Sequence, residues 1–188
     1  MLAYRYIGLV GLPGSGKDLV ASFLRREYGF YVITLSDIVK EEVEKRGLPV
    51  TRENLSRMGK ELRAVEGEAA IMIRAVKKAR EAEGRFQGVV FNGLRNLEEA
   101  EVLWREFEKS CVIALYARKE TRYHRLVKRG DEKDCGIKSF KDFLRRDRAE
   151  LNNFHVGDTM AWSDFLVVNE GSKKELFEKI SRIVRGEA

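Results

Sequence analysis

Eight consecutive residues, Gly11-Leu12-Pro13-Gly14-Ser15-Gly16-Lys17-Asp18, hold the most specific chemistry in the chain. Seven of the eight fit the phosphate-binding pattern Gly-x4-Gly-Lys-Ser/Thr, and the eighth departs from it. Glycines at 11, 14 and 16 let the backbone take positive φ and turn its N–H groups toward a polyphosphate, and Lys17 adds a mobile charge for the β- and γ-phosphates. The run therefore points to a bound nucleotide, with Gly11 to Asp18 as its contacts.

Asp18 stands where the pattern has a hydroxyl that coordinates magnesium. A carboxylate also suits that hard cation, at the cost of placing negative charge near a polyphosphate. Asp18 is either the metal ligand or an acid that only complements the helix dipole. Binding is thus easier to read here than turnover.

These residues need a strand before them and a helix after them. Tyr4 to Val10 reads as a buried strand, and Asp18 to Tyr28 as an amphipathic helix with apolar Leu19, Val20, Phe23 and Leu24. Phe30 to Thr34 is a second strand, with Ser36 as the cap of a helix from Asp37 to about Arg46. Thr51 to Glu83 is helical in pattern, with breaks expected at Gly59 and Gly67. Gly88 to Phe91, Cys111 to Tyr116 and Phe165 to Val168 complete a set of five strands. Asn96-Leu97-Glu98-Glu99 and Ser172-Lys173-Lys174-Glu175 have the form of capping boxes. The alternation predicts an α/β domain, a five-stranded parallel sheet with helices on both faces.

One domain accounts for all 188 residues. The core is expected over 1–47, 85–117 and 162–188, interrupted by helical insertions at about 48–84 and 118–152. Both insertions leave the carboxyl edge of the sheet, where open α/β folds bind ligands. No apolar run is long enough to span a membrane, and the N-terminal one leads straight into the glycine loop, so a cytoplasmic setting is expected. Cys111 and Cys135 form no C-x-x-C pair, which argues against a zinc site or a disulfide scaffold. The net charge of +6 is concentrated: residues 118 to 148 hold 12 Lys or Arg against 6 Asp or Glu, leaving 24 against 24 elsewhere. Either a phosphate ligand or a nucleic acid could answer that excess, and no nucleic-acid motif accompanies it.

With Gly11 to Asp18, Gly29 to Ile38, Phe91-Asn92-Gly93-Leu94-Arg95, the Arg-rich segment and Val168-Asn169-Glu170-Gly171-Ser172 in view, the chain resembles the P-loop small-molecule kinases. Dephospho-CoA kinase and the nucleoside monophosphate kinases are the nearest groups, and more narrowly it is similar to an archaeal family of adenylate-kinase-like proteins. The resemblance covers nearly the whole length. It implies ATP and magnesium as cofactors, an acceptor-binding region in the first insertion and a lid in the second.

By the same resemblance Asp37 faces an acceptor hydroxyl as a base, or is merely an acid in the first turn of a helix. Arg95 contacts the acceptor's phosphate or ribose, or else pairs with Glu98 or Glu99 at the surface. Asn92 stands where related kinases often place an acid near magnesium. Arg118, Arg122, Arg125 and Arg129 recur on one side of a helix, and Arg145, Arg146 and Arg148 form a second cluster. As lid residues, Arg118 and Arg122 foremost, they would stabilise charge on the transferring phosphoryl group. Arg52, Arg57 and Arg63 are expected to hold the acceptor's phosphate. Asn169 and Gly171 are expected against the adenine. The expected partner is a small phosphate acceptor, a nucleotide or dephospho-CoA, with a nucleotide-binding regulatory protein and a nucleic-acid-linked ATPase as rivals.

Overall fold

A computed structural model describes residues 2–130 and 137–188, and all of those side chains except that of Arg52. Cys135 and the middle of the basic segment lie outside the described residues. Five strands, β1 (Tyr6–Val10), β2 (Phe30–Thr34), β3 (Gly88–Leu94), β4 (Ser110–Tyr116) and β5 (Phe165–Val168), form one sheet in the order β2-β3-β1-β4-β5. Every neighbouring pair is parallel, as the βα alternation requires. The central strand β1 is buried from Ile7 to Val10, so its carboxyl end opens at the middle of the sheet edge.

Helices cover both faces. α1 (Lys17–Tyr28) and α9 (Lys173–Arg185) pack on one, through Val20, Phe23, Leu24, Leu176, Ile180 and Val184. The other is covered by α2 (Leu35–Lys45), α3 (Arg52–Glu66), α4 (Ala70–Glu81), α5 (Leu97–Glu106) and the short α8 (Val156–Ala161). α6 (Lys119–Arg129) and α7 (Phe140–Phe154) carry the basic segment.

Several sequence expectations shift. α2 begins at Leu35, with Thr34 at the cap position, so Ser36 is a first-turn residue and not the cap. Gly67 ends α3 at φ 94°, whereas Gly59 lies inside it without a break. The first insertion is less separate than expected, because Met58, Leu62, Met72, Ala75 and Val76 belong to the main core. Ser172 and Glu175 make the expected reciprocal capping box. Asn96 caps α5, but the Glu99 carboxylate accepts from the N–H of Arg95 in place of the cap residue.

The second insertion has a small core of its own, which its sequence did not suggest. Tyr123, Phe140 and Phe143 form an aromatic cluster between α6 and α7, and Leu126 and Phe143 are buried.

Candidate active site

The glycine loop has the backbone its sequence demands, with φ of 150° at Gly11, 81° at Gly14 and 107° at Gly16. Space enforces glycine as well as torsion. A Cβ at Gly11 would lie 2.5 Å from the Leu115 carbonyl oxygen, and one at Gly14 would lie 2.8 Å from that of Arg122. The loop delivers the chain into the N-terminus of α1, where unpaired N–H groups and the helix dipole favour an anion. The Lys17 ammonium donates to the Gly11 carbonyl oxygen at 2.6 Å. Burial of that ammonium lowers its pKa to about 8, and the nearby Arg95 and Arg122 push the same way against Asp18 and Glu150.

Asp18 and Asn92 are brought together. Leu9 pairs with Asn92 across β1 and β3, so the end of β3 comes beside the start of α1, and the Asn92 amide donates to the Asp18 carboxylate at 2.8 Å. The guanidinium of Arg129 stands 3.7 Å from the other carboxylate oxygen. Asn92 is buried and its Oδ1 makes no hydrogen bond within the described protein, as is also true of Ser15 Oγ. Buried oxygens of this kind call for an outside partner. An exposed carboxylate beside an orphaned amide oxygen fits a hydrated magnesium ion, which keeps most of its waters and takes few protein oxygens. No cluster of three or more acidic, His or Cys ligands occurs among the described residues, as that mode of binding permits.

A cavity of about 640 Å³ runs along the carboxyl edge of the sheet. Gly11 to Gly14, Gly16, Lys17 and Asp18 form its floor, Arg125, Arg129, Asn169, Gly171 and Lys173 line the side toward α6 and α9, and Arg146 enters from α7. Toward β2 and β3 it is lined by Thr34, Ser36, Gly93, Leu94 and Arg95. The loop after β5 is stapled to the floor. Asn169 donates to the Ser15 carbonyl at 2.8 Å, and Arg125 bridges the carbonyl oxygens of Gly14 (3.3 Å) and Asn169 (2.9 Å).

The arginines of the second insertion divide differently from their sequence reading. Arg122 is buried, its guanidinium bound to both Asp147 carboxylate oxygens at 2.5 and 2.6 Å and to the carbonyls of Ala117 and Pro13. Four acceptors occupy four of its five N–H donors, so it fastens α6 to α7 and to the loop, and it does not line the cavity. Arg118 is also outside the lining. Its side chain is exposed, and its N–H and guanidinium are held by Glu170, which also accepts from the Thr121 hydroxyl. The cavity instead receives Arg125, Arg129 and Arg146. Arg145 is exposed and pairs with Asp142.

Asp37 is exposed in the first turn of α2 and does not line the cavity, whereas its neighbour Ser36 does. Among the described residues the carboxylate that lines it, besides Asp18, is Glu150 of α7, which sequence reasoning missed. Its signal was its position one helical turn after Arg146. Arg95 lies in the cavity as expected, but its partner is not a surface acid. Its guanidinium carbon lies over the Phe154 ring, 4.2 Å from the ring centre, and Glu99 holds its backbone N–H. Glu99 is fully buried, its carboxyl pushed up by desolvation against the pull of Arg63, which donates to it at 2.8 Å. Arg57 bonds to Asn54, and neither Arg57 nor Arg63 lines the cavity.

Similarity to known proteins agrees with this geometry. An AAA domain family model matches residues 7–151. A UPF0200 protein of Pyrococcus horikoshii is 36% identical over 178 residues, covering 94% of each chain, and one of Aeropyrum pernix is 36% identical over 179 residues, covering 95% of this chain and 91% of its own. The chain belongs to the AAA domain family and to UPF0200. The expected archaeal family is thereby shown. Among solved structures, the TT1252 protein of Thermus thermophilus superposes with a TM-score of 0.64 at 22% identity, covering 98% of both chains. Shikimate kinase from Acinetobacter baumannii, in complex with shikimate, follows at 0.56 and 19%, covering 96% of this chain and 93% of its own. A gluconokinase from Sinorhizobium meliloti gives 0.57 at 15%, covering 97% and 94%. These likenesses show that this UPF0200 chain has the P-loop kinase fold. No described helix is long and apolar enough to cross a membrane.

Proposed function

We propose that the protein is a cytoplasmic phosphotransferase that binds ATP with magnesium and moves the γ-phosphoryl group to a small acceptor. One observation carries this reading: a single cavity joins the phosphate loop and Lys17 to a second end built from Thr34, Ser36 and Arg95. A nucleotide at the floor would leave that end open for an acceptor. The resemblance to dephospho-CoA and nucleoside monophosphate kinases favours a nucleotide-like acceptor, and the shikimate kinase and gluconokinase neighbours favour smaller hydroxylated ones.

The roles follow from position. The loop N–H groups and Lys17 hold the β- and γ-phosphates, and Arg125, Arg129 and Arg146 stand where charge develops on the transferring group. Arg122 and Arg118 act at one remove, holding α6 in place. Asn169 and Gly171 border the base. Magnesium, when bound, neutralises phosphate charge; Asp18 would hold it, with the Asn92 amide fixing that carboxylate. In the transfer an acceptor oxygen gives its proton to a carboxylate and bonds to the γ-phosphorus. The bond from that phosphorus to the β–γ bridging oxygen breaks, and ADP leaves with the electron pair. Asp37 was the expected proton acceptor, and Glu150 meets the requirement better because it lines the cavity.

The rival reading as a nucleic-acid-linked ATPase loses support where the basic segment turns inward, since Arg122 is buried and Arg125 faces the phosphate loop and the cavity. An acceptor screen with ATP and magnesium tests the proposal. Transfer of labelled phosphate to a small acceptor supports it. ATP hydrolysis stimulated by RNA or DNA with no acceptor labelled would overturn it.

A further inference from the structure

We propose that Asp18 holds Arg129 away from the phosphates until magnesium arrives, so that one exchange of cations both seats the metal and delivers the arginine. This device rests on the nucleotide and magnesium reading above and adds to it an order of events. It follows from the way α6 lies along the phosphate loop.

Arg122, Arg125 and Arg129 follow one another at three and four residues, so they form a single ridge of α6. That ridge meets the loop at three points. Arg122 donates to the Pro13 carbonyl at 3.2 Å, Arg125 donates to that of Gly14 at 3.3 Å, and Arg129 faces the Asp18 carboxylate at 3.7 Å. The first two contacts reach backbone carbonyls, and a Cβ at Gly14 would strike the backbone of Arg122, so α6 itself is fixed against the loop. The third contact is of another kind. Both its side chains are exposed in part, Asp18 at 65% and Arg129 at 37%, and a pair so placed contributes little to stability. The pairs Arg46 to Glu61, Arg74 to Glu42 and Glu66, Lys78 to Glu41 and Arg80 to Glu106 are closer, at 2.5 to 3.0 Å, and lie outside the cavity. Asp18 and Arg129 both line it. A loose, solvated ion pair inside the ligand cavity is one that a ligand can exchange.

The two carboxylate oxygens of Asp18 have different partners. The Asn92 amide donates to Oδ1 at 2.8 Å, and the Arg129 guanidinium faces Oδ2. The oxygen left for a metal is therefore the one that the arginine occupies. Magnesium carries twice the charge of a guanidinium and prefers a carboxylate oxygen, so the two cations compete for Oδ2 and the divalent one prevails. Once released from Asp18, Arg129 needs only new side-chain torsions to turn toward an anion at Lys17, because one cavity holds all three residues. Without metal the same carboxylate both repels a polyphosphate and withholds the arginine that would attract it. A serine or threonine at position 18 would bind magnesium through its hydroxyl but could not hold a guanidinium by charge. The departure at Asp18 thus makes metal-free ATP a poor ligand.

Calorimetric titration with a non-hydrolysable ATP analogue, in magnesium and in EDTA, tests the exchange on wild type, Arg129→Gln, Asp18→Asn and the double variant. In magnesium Arg129→Gln should weaken binding by about tenfold, the weight of one charged contact to phosphate. In EDTA the same change should weaken it by no more than about twofold, because Asp18 already withholds the arginine. Asp18→Asn in EDTA should bind the analogue more tightly than wild type does, and adding Arg129→Gln there should again lose about tenfold. Arg129→Lys should keep part of the binding in magnesium, since it retains the charge without the fork. An Arg129→Gln loss that is equal in magnesium and in EDTA, or absent from both, would overturn the exchange. So would an Asp18→Asn protein that gains nothing in EDTA, or one whose gain survives Arg129→Gln. A wild-type protein that fails to bind the analogue in magnesium would instead sink the phosphotransferase reading.

Discussion

The Asn92 amide donates to the Asp18 carboxylate across 2.8 Å, joining residues 74 positions apart where the phosphate loop enters α1. In the usual arrangement the helix supplies a hydroxyl and a neighbouring strand supplies the acid. Here the helix supplies the acid and the strand a neutral amide, so the site keeps one negative charge with its origin exchanged.

That exchange makes a test in which two changes do better than one. Asp18→Ser should weaken magnesium-dependent ATP binding by about tenfold or more, since neither the introduced hydroxyl nor the Asn92 amide holds a charge. Adding Asn92→Asp should recover most of the loss, a coupling expected only of residues in one site. Magnesium titrations of ATP affinity in both single variants and the double variant decide it. A single variant that matches wild type would leave Asp18 with the dipole role alone.

Lys17 sets a pH dependence of binding. Its pKa of about 8 in the free protein means that it is charged below pH 8 and neutral above, and only the charged form attracts phosphate. Binding should therefore hold steady below pH 7.5 and weaken by about tenfold from there to pH 9. Fold stability should move the opposite way. Between pH 8 and 10.5 the unfolded lysine holds more protons than the folded one, so stability rises with pH in that window. Lys17→Ala should bind ATP more weakly at pH 7 and lose both trends; calorimetry and urea unfolding across pH measure them.

Arg122 should behave as a structural residue. Arg122→Met leaves the Asp147 carboxylate buried without its partner and should cost about 3–5 kcal/mol of stability. Arg122→Met with Asp147→Leu should regain most of it, because an apolar pair removes the stranded charge. Denaturant unfolding checks both. Near-wild-type stability in Arg122→Met with a large fall in turnover would return Arg122 to the phosphates.

The two candidate bases are separable. Glu150→Gln should slow phosphoryl transfer by about a hundredfold with little change in ATP affinity, and Asp37→Asn should slow it far less. Single-turnover rates with saturating ATP and acceptor give the comparison. The reverse order would reinstate Asp37.

The periodic parts of the chain were legible in sequence. β2 and β5 match their expected bounds to the residue, because short apolar runs between turn residues leave one reading. The phosphate loop was equally clear, since its glycines answer torsions and close approaches that no other residue meets. α8 escaped notice: six residues containing Gly157 show no period, and its place depends on Val156 in the core and on the Thr159 bond to Arg95. The roles of the basic residues were hidden for a different reason. Spacing puts Arg118, Arg122, Arg125 and Arg129 on one side of a helix, but which of them turns inward is decided by Asp147, 25 residues beyond Arg122, and by Glu170, 52 beyond Arg118. Asp18 and Asn92 were each noted as departures, and only the β1–β3 register joins them.

The paired charges that tie α2, α3, α4 and α5 together have a consequence for temperature. Arg46 to Glu61, Arg74 to Glu42 and Glu66, Lys78 to Glu41 and Arg80 to Glu106 form a lattice over the helical layer that follows Thr34 and Ser36. On warming, the hydration of charged groups becomes less favourable, so the cost of withdrawing these ions from water falls, while the apolar contribution per unit area levels off. The acceptor end of the cavity therefore rests on the part of the molecule whose cohesion fades least with heat.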